Sequence, residues 1–256
     1  MNYTEIDIKP EYRSLQDDIV KEFYYPLLKC TKLYQRAVGF FSSSALIEIS
    51  KGLSFLAKNG GKIQLIASPK LSEEDIEAIE KGIEIREKVI ENRIVEALTE
   101  PKNRFEEERL NLLVNLIAKG ILEIKIAVLE KDNQIGMYHE KMGILVDFDD
   151  NVVAFTGSMN ESTTAFRHNY ESIDVFLSWD EADAKRVLNK KMAFKAMWEN
   201  YEPYMHIMDF PEAASKKLFK YQKTMDIDYD IDDTQGDKQD ETEIVEIHEY
   251  YPTPVQ

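Results

Sequence analysis

The amino-acid sequence predicts an α/β domain in which helices flank a mixed β-sheet. In the first half of the chain, apolar runs rich in β-branched and aromatic residues alternate with amphipathic stretches of helical period. Three further strand-like runs then follow one another, with turn residues between them. An alternation of strands and helices is typical of α/β domains.

The first predicted elements lie between residues 33 and 69. "LYQRAVGFF" (33–41) has strand character and leads into "SSSALIEISKGLSFLAKNGG", an amphipathic helix that ends at Gly60 and Gly61. "KIQLIASP" follows as a second β-rich run. Pro69 ends that run, because proline has no N–H to donate to a sheet.

Helices are predicted for most of the next fifty residues. Ser72 and Asp75 have the spacing of a capping box and open a long charged helix over "EEDIEAIEKGIEIREKVIENRIVEAL", which breaks near Pro101. A further helix covers roughly 105–119, and Gly120 ends it. The next strand is "ILEIKIAVLE", in which Glu and Lys alternate with Ile and Val.

Three strands are predicted in close succession after residue 137. "YHEKMGILVD" and "VVAFTGS" have strand character, and the "FDDN" between them carries turn residues. "ESIDVFLSW" is the third strand. It is followed by a helix over "DEADAKRVLNKKMAFKAMWENY", which Asp180 is expected to cap.

The net charge of −16 is concentrated at the C-terminus of the 256-residue chain. Residues 225–256 contain eleven acidic residues and one lysine, a charge of −10, which leaves −6 for residues 1–224. We predict one domain over 1–224 and an acidic, flexible tail or linker over 225–256. Because the domain is itself mildly acidic, nucleic-acid binding would require local basic patches or a partner.

Several other classes of protein are disfavoured. Cys30 is the only cysteine, which excludes an intrachain disulfide and a multi-cysteine metal site. Apolar runs such as 121–129 are too short and too charged to cross a bilayer. The N-terminal "MNYTEIDIKPEYRSLQDD" lacks the basic start and apolar stretch of a signal peptide. We therefore expect a cytoplasmic protein that does not associate with a membrane.

Polar side chains stand at the ends of the three successive strands. His139 and Lys141 are two residues apart and so share one face of a strand. Lysine, serine and asparagine donate hydrogen bonds to phosphate oxygens, histidine can act as nucleophile or acid, and a carboxylate can orient an imidazole. If the strands are neighbours, this set suits a phosphoryl group. The candidate residues are His139, Lys141, Gly157, Ser158, Asn160, Asn169 and Glu171.

These residues resemble the active-site signature of the phospholipase D superfamily, in which His-x-Lys is followed by Gly-Ser-x-Asn and Asn-x-Glu. The eleven-residue step from Asn160 to Glu171 is similar to that of its small bacterial nucleases. A wider resemblance covers roughly 12–221 and includes "LYQRAVGFFSSSAL", "GGKIQLIASPKLSEEDIEAIEKG" and "FTGSMNES". Over this range the chain resembles the phospholipase D-like domain at the N-terminus of bacterial helicase-linked proteins, which are associated with restriction and phage defence.

One position departs from the signature. The resemblance implies an aspartate five residues after Lys141, where this chain has Val146, and the nearest aspartate is Asp147. A shift of one residue turns a side chain to the other face of a strand. A functional role for Asp147 would therefore require a bulge that restores its direction.

The resemblance also implies a mechanism and an assembly. The histidine of one signature attacks phosphorus to form a phosphohistidine, the histidine of a second signature protonates the leaving oxygen, and no metal or other cofactor takes part. This chain has one signature, at His139, because none of His168, His206 and His248 begins a second His-x-Lys. One copy per chain implies a homodimer with a shared site.

Roles for the other candidates follow from the same resemblance. Lys141, Ser158 and Asn160 are expected to bind phosphate, and Glu171 to orient His139. The substrate-binding residues are expected to be Asn169 and Gly157.

The sequence therefore predicts a metal-independent phosphodiesterase, in the first place a DNA endonuclease, with a helicase domain or subunit as a candidate partner. Two alternatives stay open. One is a non-catalytic DNA-binding or dimerisation module, which the acidic body and the displaced Asp147 favour. The other is a phosphodiesterase acting on lipid or small phosphate esters, although no basic amphipathic stretch points to a membrane surface.

Overall fold

A mixed β-sheet of nine strands runs through the described part of the computed structural model, residues 2–82, 84–132, 134–158 and 171–235. Its strands are β1 (Glu11–Arg13), β2 (Thr31–Phe40), β3 (Lys62–Ser68), β4 (Leu122–Lys131), β5 (Gln134–Gly136), β6 (Met142–Asp147), β7 (Val152–Gly157), β8 (Ser172–Leu177) and β9 (Met205–Asp209). They lie in the order β1-β8-β7-β6-β2-β3-β4-β5, and β9 also pairs with β4. The pairs β2–β3 and β3–β4 are parallel and the others antiparallel. The expected fold class is confirmed.

The directions of the strands bring several strand ends together. β6 begins where β2 and β3 end, because β6 is antiparallel to β2. β7 ends and β8 begins at the same place, since each successive pair is antiparallel. We call this the motif end of the sheet, and the turn between β6 and β7 lies at the opposite end. The motif end is marked by Phe40, Ser68, Met142, Gly157 and Ser172.

Helices cover both faces of the sheet. They are α1 (Tyr25–Leu28), α2 (Ser43–Ile49), α3 (Leu53–Lys58), α4 (Glu73–Glu80), α5 (Arg86–Ala97), α6 (Arg104–Ala118), α7 (Ala184–Trp198), α8 (Glu212–Leu218) and α9 (Ile231–Gln235). A π-helical turn, Val20–Tyr24, precedes α1. The larger core lies between the sheet and α2, α3, α5 and α6, and a smaller core lies between the other face and α7.

The side chains of β6 show how the two cores divide the sheet. Met142, Ile144 and Val146 belong to the smaller core. Leu145 belongs to the larger core on the other face. This alternation has the period of two that a strand imposes, so β6 is buried on both sides.

Two predicted helices are each broken by a glycine. Gly52 has φ of 83° and separates α2 from α3, and Gly82 has φ of 66° and lies between α4 and α5. Left-handed backbone of this kind ends a helix and is open to glycine at low cost. Apolar residues continue through both breaks, which is why each pair of helices reads as one in the sequence.

Three predicted element starts can be checked against hydrogen bonds and strand bounds. The capping box is confirmed, since the Ser72 hydroxyl accepts from the Asp75 N–H and the Asp75 carboxylate accepts from the Ser72 N–H. The predicted cap at Asp180 is wrong, because Asp180 accepts from the N–H of Ala182 in a turn that precedes α7. β6 begins at Met142 rather than at residue 138.

The late start of β6 has a geometric reason. Leu129 pairs with Gly136 of β5 on one edge of β4 and with Met205 of β9 on the other. Because Lys125 and Ile126 pair with both β3 and β9, β9 lies on the edge opposite β3, and β5 lies on the same edge as β3, beyond its end. The chain therefore crosses two strand positions from β5 to β6, about 10 Å. Residues 137–141 make this crossing over the end of β2 and belong to no strand.

Packed structure extends beyond the boundary that we predicted at residue 224. Ile227 and Ile231 are buried in the larger core. Asp232 is fully buried and forms an ion pair of 2.5 Å with Arg109, and it also accepts hydrogen bonds from the backbone N–H and the hydroxyl of Ser54. Part of the predicted tail is thus attached to the domain, while 236–256 lie outside the described residues.

Among the helices of the described ranges, none combines the length and the apolar character needed to span a bilayer.

The buried ion pair gives a first prediction. Asp232→Ala should lower the free energy of unfolding by about 3–5 kcal/mol, because it leaves the Arg109 guanidinium buried without its carboxylate partner. Asp230→Ala is the matched control, since the contact of Asp230 with Lys58 is exposed and such pairs contribute only about 0–1 kcal/mol. Urea unfolding of both variants measures the difference, and equal losses would contradict the assignment.

Candidate active site

His139 and Lys141 lie on the segment that crosses the motif end. The Lys141 ammonium is 3.1 Å from Nε2 of His139 and donates a 3.0 Å hydrogen bond to the carbonyl of His139. His139 is exposed, whereas Lys141 is buried. A basic side chain held under an accessible imidazole is an arrangement that can take an anionic group.

Ser158 and Glu171 meet beside this pair. Ser158 follows the end of β7, Glu171 precedes β8, and the Ser158 hydroxyl donates a 2.5 Å hydrogen bond to the Glu171 carboxylate. The N–H of Ser172 donates to the same hydroxyl at 3.2 Å. Ser14 fixes the backbone of Glu171 from the other side: its N–H donates to the carbonyl of Glu171, and its hydroxyl accepts from the N–H of Glu171.

Gly157 makes the approach of these two residues possible. A Cβ at this position would lie 2.0 Å from the carbonyl oxygen of Ser172 and 2.9 Å from Cα of Ile173. Its N–H contacts the carbonyl of Lys141 at 3.4 Å. The structure therefore gives Gly157 a packing role in aligning β6, β7 and β8, and a contact with substrate stays a prediction.

Three charged side chains share the buried side of the site. Burial lowers the pKa of the Lys141 ammonium, the Glu171 carboxylate raises it, and the Arg36 guanidinium lowers it. Together these effects lower the pKa of Lys141, so the Glu171 carboxylate offsets only part of the effect of burial. Among the described residues the hydrogen-bonding partners of Glu171 include Ser158 and Ser14 but not His139, and its role in orienting the imidazole stays a prediction.

Arg36 is a site residue that the sequence analysis missed. It is 1% exposed, and its guanidinium lies 5.0 Å from the ring centre of Phe155. Phe155 can lie across β6 because its strand partner is Gly143, where a Cβ would be only 2.1 Å from the ring. The sequence could have pointed to Arg36, because a charged residue in the middle of the apolar strand "LYQRAVGFF" is unusual where core residues are expected.

Other side chains around His139 were also missed. The ring of Phe40 is 6.0 Å from that of His139, and the Lys70 ammonium is 6.0 Å from the ring centre of Phe40. Glu140 forms an ion pair of 2.5 Å with Lys190 of α7. These residues lie at the ends of different elements, so only the fold brings them together.

Two predicted site residues cannot be placed. Asn160 and Asn169 lie in 159–170, outside the described residues.

Asp147 has a structural role at the opposite end of β6. It is fully buried, and its carboxylate accepts from the N–H groups of Tyr3, Asp149 and Asn151 and from the side-chain amide of Asn151, at 2.8–2.9 Å. Val146, at the position where the resemblance implies aspartate, packs in the smaller core. Neither side chain reaches the motif end.

In the described part of the chain, no group of three or more His, Cys, Asp or Glu side chains is arranged to hold a metal ion.

One family model matches more than half of the chain. The family model described as cardiolipin synthase, PLD-like domain, matches residues 29–198. Comparison with the curated proteins found no match.

Several solved structures are similar to this chain. NucT from Helicobacter pylori is 16% identical, with 74% of this chain and 94% of NucT covered and a TM-score of 0.42. Nuc from Salmonella typhimurium, a phospholipase D family member, is 14% identical, with 74% and 91% covered and a TM-score of 0.40. Phosphatidylserine synthase from Haemophilus influenzae is 12% identical, with 82% and 44% covered and a TM-score of 0.41.

The balance of charge around Lys141 gives a second prediction. Glu171→Gln removes the carboxylate that raises the pKa of Lys141, so the ammonium should lose its proton at a lower pH than in the wild type. A pH titration of lysine-labelled protein by NMR measures this shift directly. Glu140→Gln is the control, because Glu140 pairs with Lys190 instead. An unchanged or raised pKa in Glu171→Gln would contradict the assignment.

Asp147 gives a third prediction. Asp147→Ala should lower the free energy of unfolding by about 3 kcal/mol or more, because it leaves buried N–H donors without an acceptor. Asp149→Ala, two residues away and exposed, should change it by less than about 0.5 kcal/mol. Chemical denaturation compares the two variants. A specific loss of diester hydrolysis in folded Asp147→Ala protein, without a loss of stability, would instead give Asp147 a catalytic role.

Proposed function

The chain belongs to the phospholipase D-like family, whose model covers residues 29–198, and from this premise we propose that it is a metal-independent phosphodiesterase, specifically a DNA endonuclease. Members of this superfamily are phosphodiesterases and nucleases, that is, hydrolases. The finer assignment to DNA draws on the resemblance of the sequence to small bacterial nucleases.

One observation carries the proposal, namely the contact between His139 and the buried ammonium of Lys141. A lysine ammonium has only donors, so in the proposed arrangement Lys141 donates to Nε2 of a neutral imidazole that carries its proton on Nδ1. A neutral imidazole of this kind is competent as a nucleophile. An incoming phosphate oxygen would take over the donor of Lys141 and place phosphorus beside the freed ring nitrogen.

The proposed reaction has two steps. In the first, a ring nitrogen of His139 attacks phosphorus, and a P–N bond forms while the P–O bond to the leaving group breaks. The partner subunit's His139, which enters this step as an imidazolium, donates a proton to that leaving oxygen and becomes neutral. In the second, water attacks phosphorus and gives its proton to the partner subunit's His139, and the P–N bond breaks to release a phosphomonoester. Both imidazoles return to their starting states.

The remaining residues of the signature stabilise the charge on phosphate. Lys141 and Asn160 would donate to the non-bridging oxygens. The Ser158 hydroxyl is positioned by Glu171 and the N–H of Ser172, so it can exchange its bond to Glu171 for one to phosphate. Hydrogen-bond donors of this kind act most strongly where charge develops in the transition state.

A homodimer completes the proposed site. Each chain carries one His-x-Lys signature, and the two-step reaction needs two histidines. His139 lies at an exposed end of the sheet, where a two-fold axis can bring two copies together. A helicase domain or subunit, and a place in restriction or phage defence, is supported by the resemblance of the sequence alone.

Two other functions have some support. The structural role of Asp147 is compatible with a non-catalytic DNA-binding module that keeps the fold. The description of the family model names a lipid enzyme, cardiolipin synthase, and so points to lipid phosphodiesters. The site geometry favours catalysis, because a binding module would not need His139 held against Lys141.

The fourth prediction tests the chemistry. In excess EDTA, the wild type should cleave plasmid or single-stranded DNA, and His139→Ala should reduce the rate by about 10³-fold or more, since it removes both nucleophile and acid. His206→Ala is the matched control, because His206 lies on β9. Gel assays measure the cleavage of DNA, and the hydrolysis of bis(p-nitrophenyl) phosphate measures activity on a small diester.

The outcomes separate the candidate functions. Binding without cleavage by either protein would support the non-catalytic module, and hydrolysis of phospholipid without cleavage of DNA would support the lipid enzyme. Activity that appears only with a divalent metal would contradict the mechanism. Sedimentation of the active protein as a strict monomer would contradict the shared site.

A further inference from the structure

Two pairs of an aromatic ring and a lysine stand at the motif end beyond His139. The first is Phe40 at the end of β2 with Lys70, which follows β3, and the ammonium is 6.0 Å from the ring centre. The second is Tyr204, just before β9, with Lys131 at the end of β4, at 5.2 Å. Neither pair belongs to the His-x-Lys signature.

The order of the strands sets the two pairs one after the other beyond the site. Across the sheet from β6 come β2, β3 and β4, so Phe40, Lys70 and Lys131 follow the signature in that order. β4 is three strand positions from β6, about 14 Å sideways, and Lys131 lies about 13 Å further along the strand direction, because β4 continues four residues beyond the level of Phe40 and Ser68. Tyr204 lies at the same end because β9 is antiparallel to β4.

Both pairs are accessible to a ligand. Tyr204 is 60% exposed, Lys70 and Lys131 are exposed, and Phe40 is half-buried against His139. Tyr204 keeps a left-handed backbone with φ of 62°, and its carbonyl accepts from the N–H of Glu130 at 2.8 Å. A bulky residue in that conformation is unusual and directs attention to function.

We propose that Phe40, Lys70, Lys131 and Tyr204 form a binding track for single-stranded nucleic acid that leads to His139; this deepens the proposed nuclease function and rests on it. Bases stack on exposed aromatic rings, whatever their identity, and lysines beside the rings contact the backbone phosphates. Unpaired bases are required, because the bases of a duplex are stacked on one another and do not present their faces.

The charge of the domain makes such a track necessary. Residues 1–224 carry a net charge of −6, so the domain as a whole does not attract a polyanion, and affinity must come from local contacts. Glu130, the acidic neighbour of Lys131, forms an ion pair with Arg86. Stacking is independent of net charge, which suits a binding surface on an acidic protein.

The test measures binding separately from cleavage. The full chain carrying His139→Ala is titrated in EDTA with a fluorescent oligothymidylate of about 12 nucleotides, a length within the roughly 4–16 that one such site spans. Tyr204→Asn removes the second ring and keeps the left-handed backbone, which asparagine tolerates. Phe40→Leu removes the first ring and keeps apolar bulk. Each should weaken binding roughly 5- to 150-fold, the loss of one stacked base.

The lysines are tested through the dependence on salt. The double variant Lys70→Ala/Lys131→Ala should reduce the slope of log affinity against log salt by about 1.4, since each phosphate contact to a single strand contributes about 0.7. The matched controls are Phe148→Ala, an exposed ring in the turn between β6 and β7, and Lys62→Ala at the start of β3. Both lie at the opposite end of the sheet, so neither should change the affinity or the slope.

The outcomes are distinct from those of the nuclease assay. Loss of binding in the track variants, with the controls unchanged, supports the track even where the wild type proves unable to cleave. Equal binding by Tyr204→Asn, Phe40→Leu and the parent protein overturns it, even where the wild type is an active nuclease. Tighter binding of a duplex of the same length, or no binding of the single strand, overturns it as well. Thermal melting identifies any variant that has lost its fold.

Discussion

The crossing of the motif end by residues 137–141 is the constraint on which the candidate site depends. β5 pairs with β4 and β6 with β2, and few residues connect them. The segment passes over the end of β2, where His139 is exposed beside Phe40, while Lys141 turns inward at the start of β6. A longer connection would let both side chains move. Here the pairing of the strands on either side fixes the imidazole and the ammonium relative to each other, so the site is organised before substrate arrives.

Burial of the Lys141 ammonium then determines what must surround it. A buried cation is costly unless an anion lies nearby, and Glu171 is that anion. The carboxylate accepts from the Ser158 hydroxyl, and the backbone N–H of Glu171 donates to the Ser14 hydroxyl. Ser158 can reach the carboxylate only because β7 and β8 approach closely at Gly157. The Arg36 guanidinium is a second cation near Lys141, and it packs against the ring of Phe155. Packing at two glycines thus supports the electrostatics of the site.

The sequence was sufficient for the parts of the fold that follow local pattern. The strands equivalent to β2, β3, β4, β6, β7 and β8 are visible as apolar runs, and the capping box at Ser72 is visible as a spacing. Pairing across the sheet is not local, so β1, β9 and the crossing segment could not be predicted. The same holds for the site, where His139, Lys141, Ser158 and Glu171 form a motif in sequence. Arg36, Phe40 and Lys70 gain their meaning only from neighbours that are distant in the chain.

The carboxylate of Asp147 joins the first residues of the chain to β6, the strand that follows Lys141. Tyr3 donates its N–H to this carboxylate and its hydroxyl shares a hydrogen bond with Thr31 of β2, while Asn151 holds the turn from the other side. The N-terminus therefore cannot fray alone, because its opening would leave a buried charge short of a donor. Local opening at residue 3 and at the hairpin becomes a single cooperative event, and amide hydrogens in the two places exchange with solvent together. The beginning of the chain thus sets the lifetime of the far end of β6.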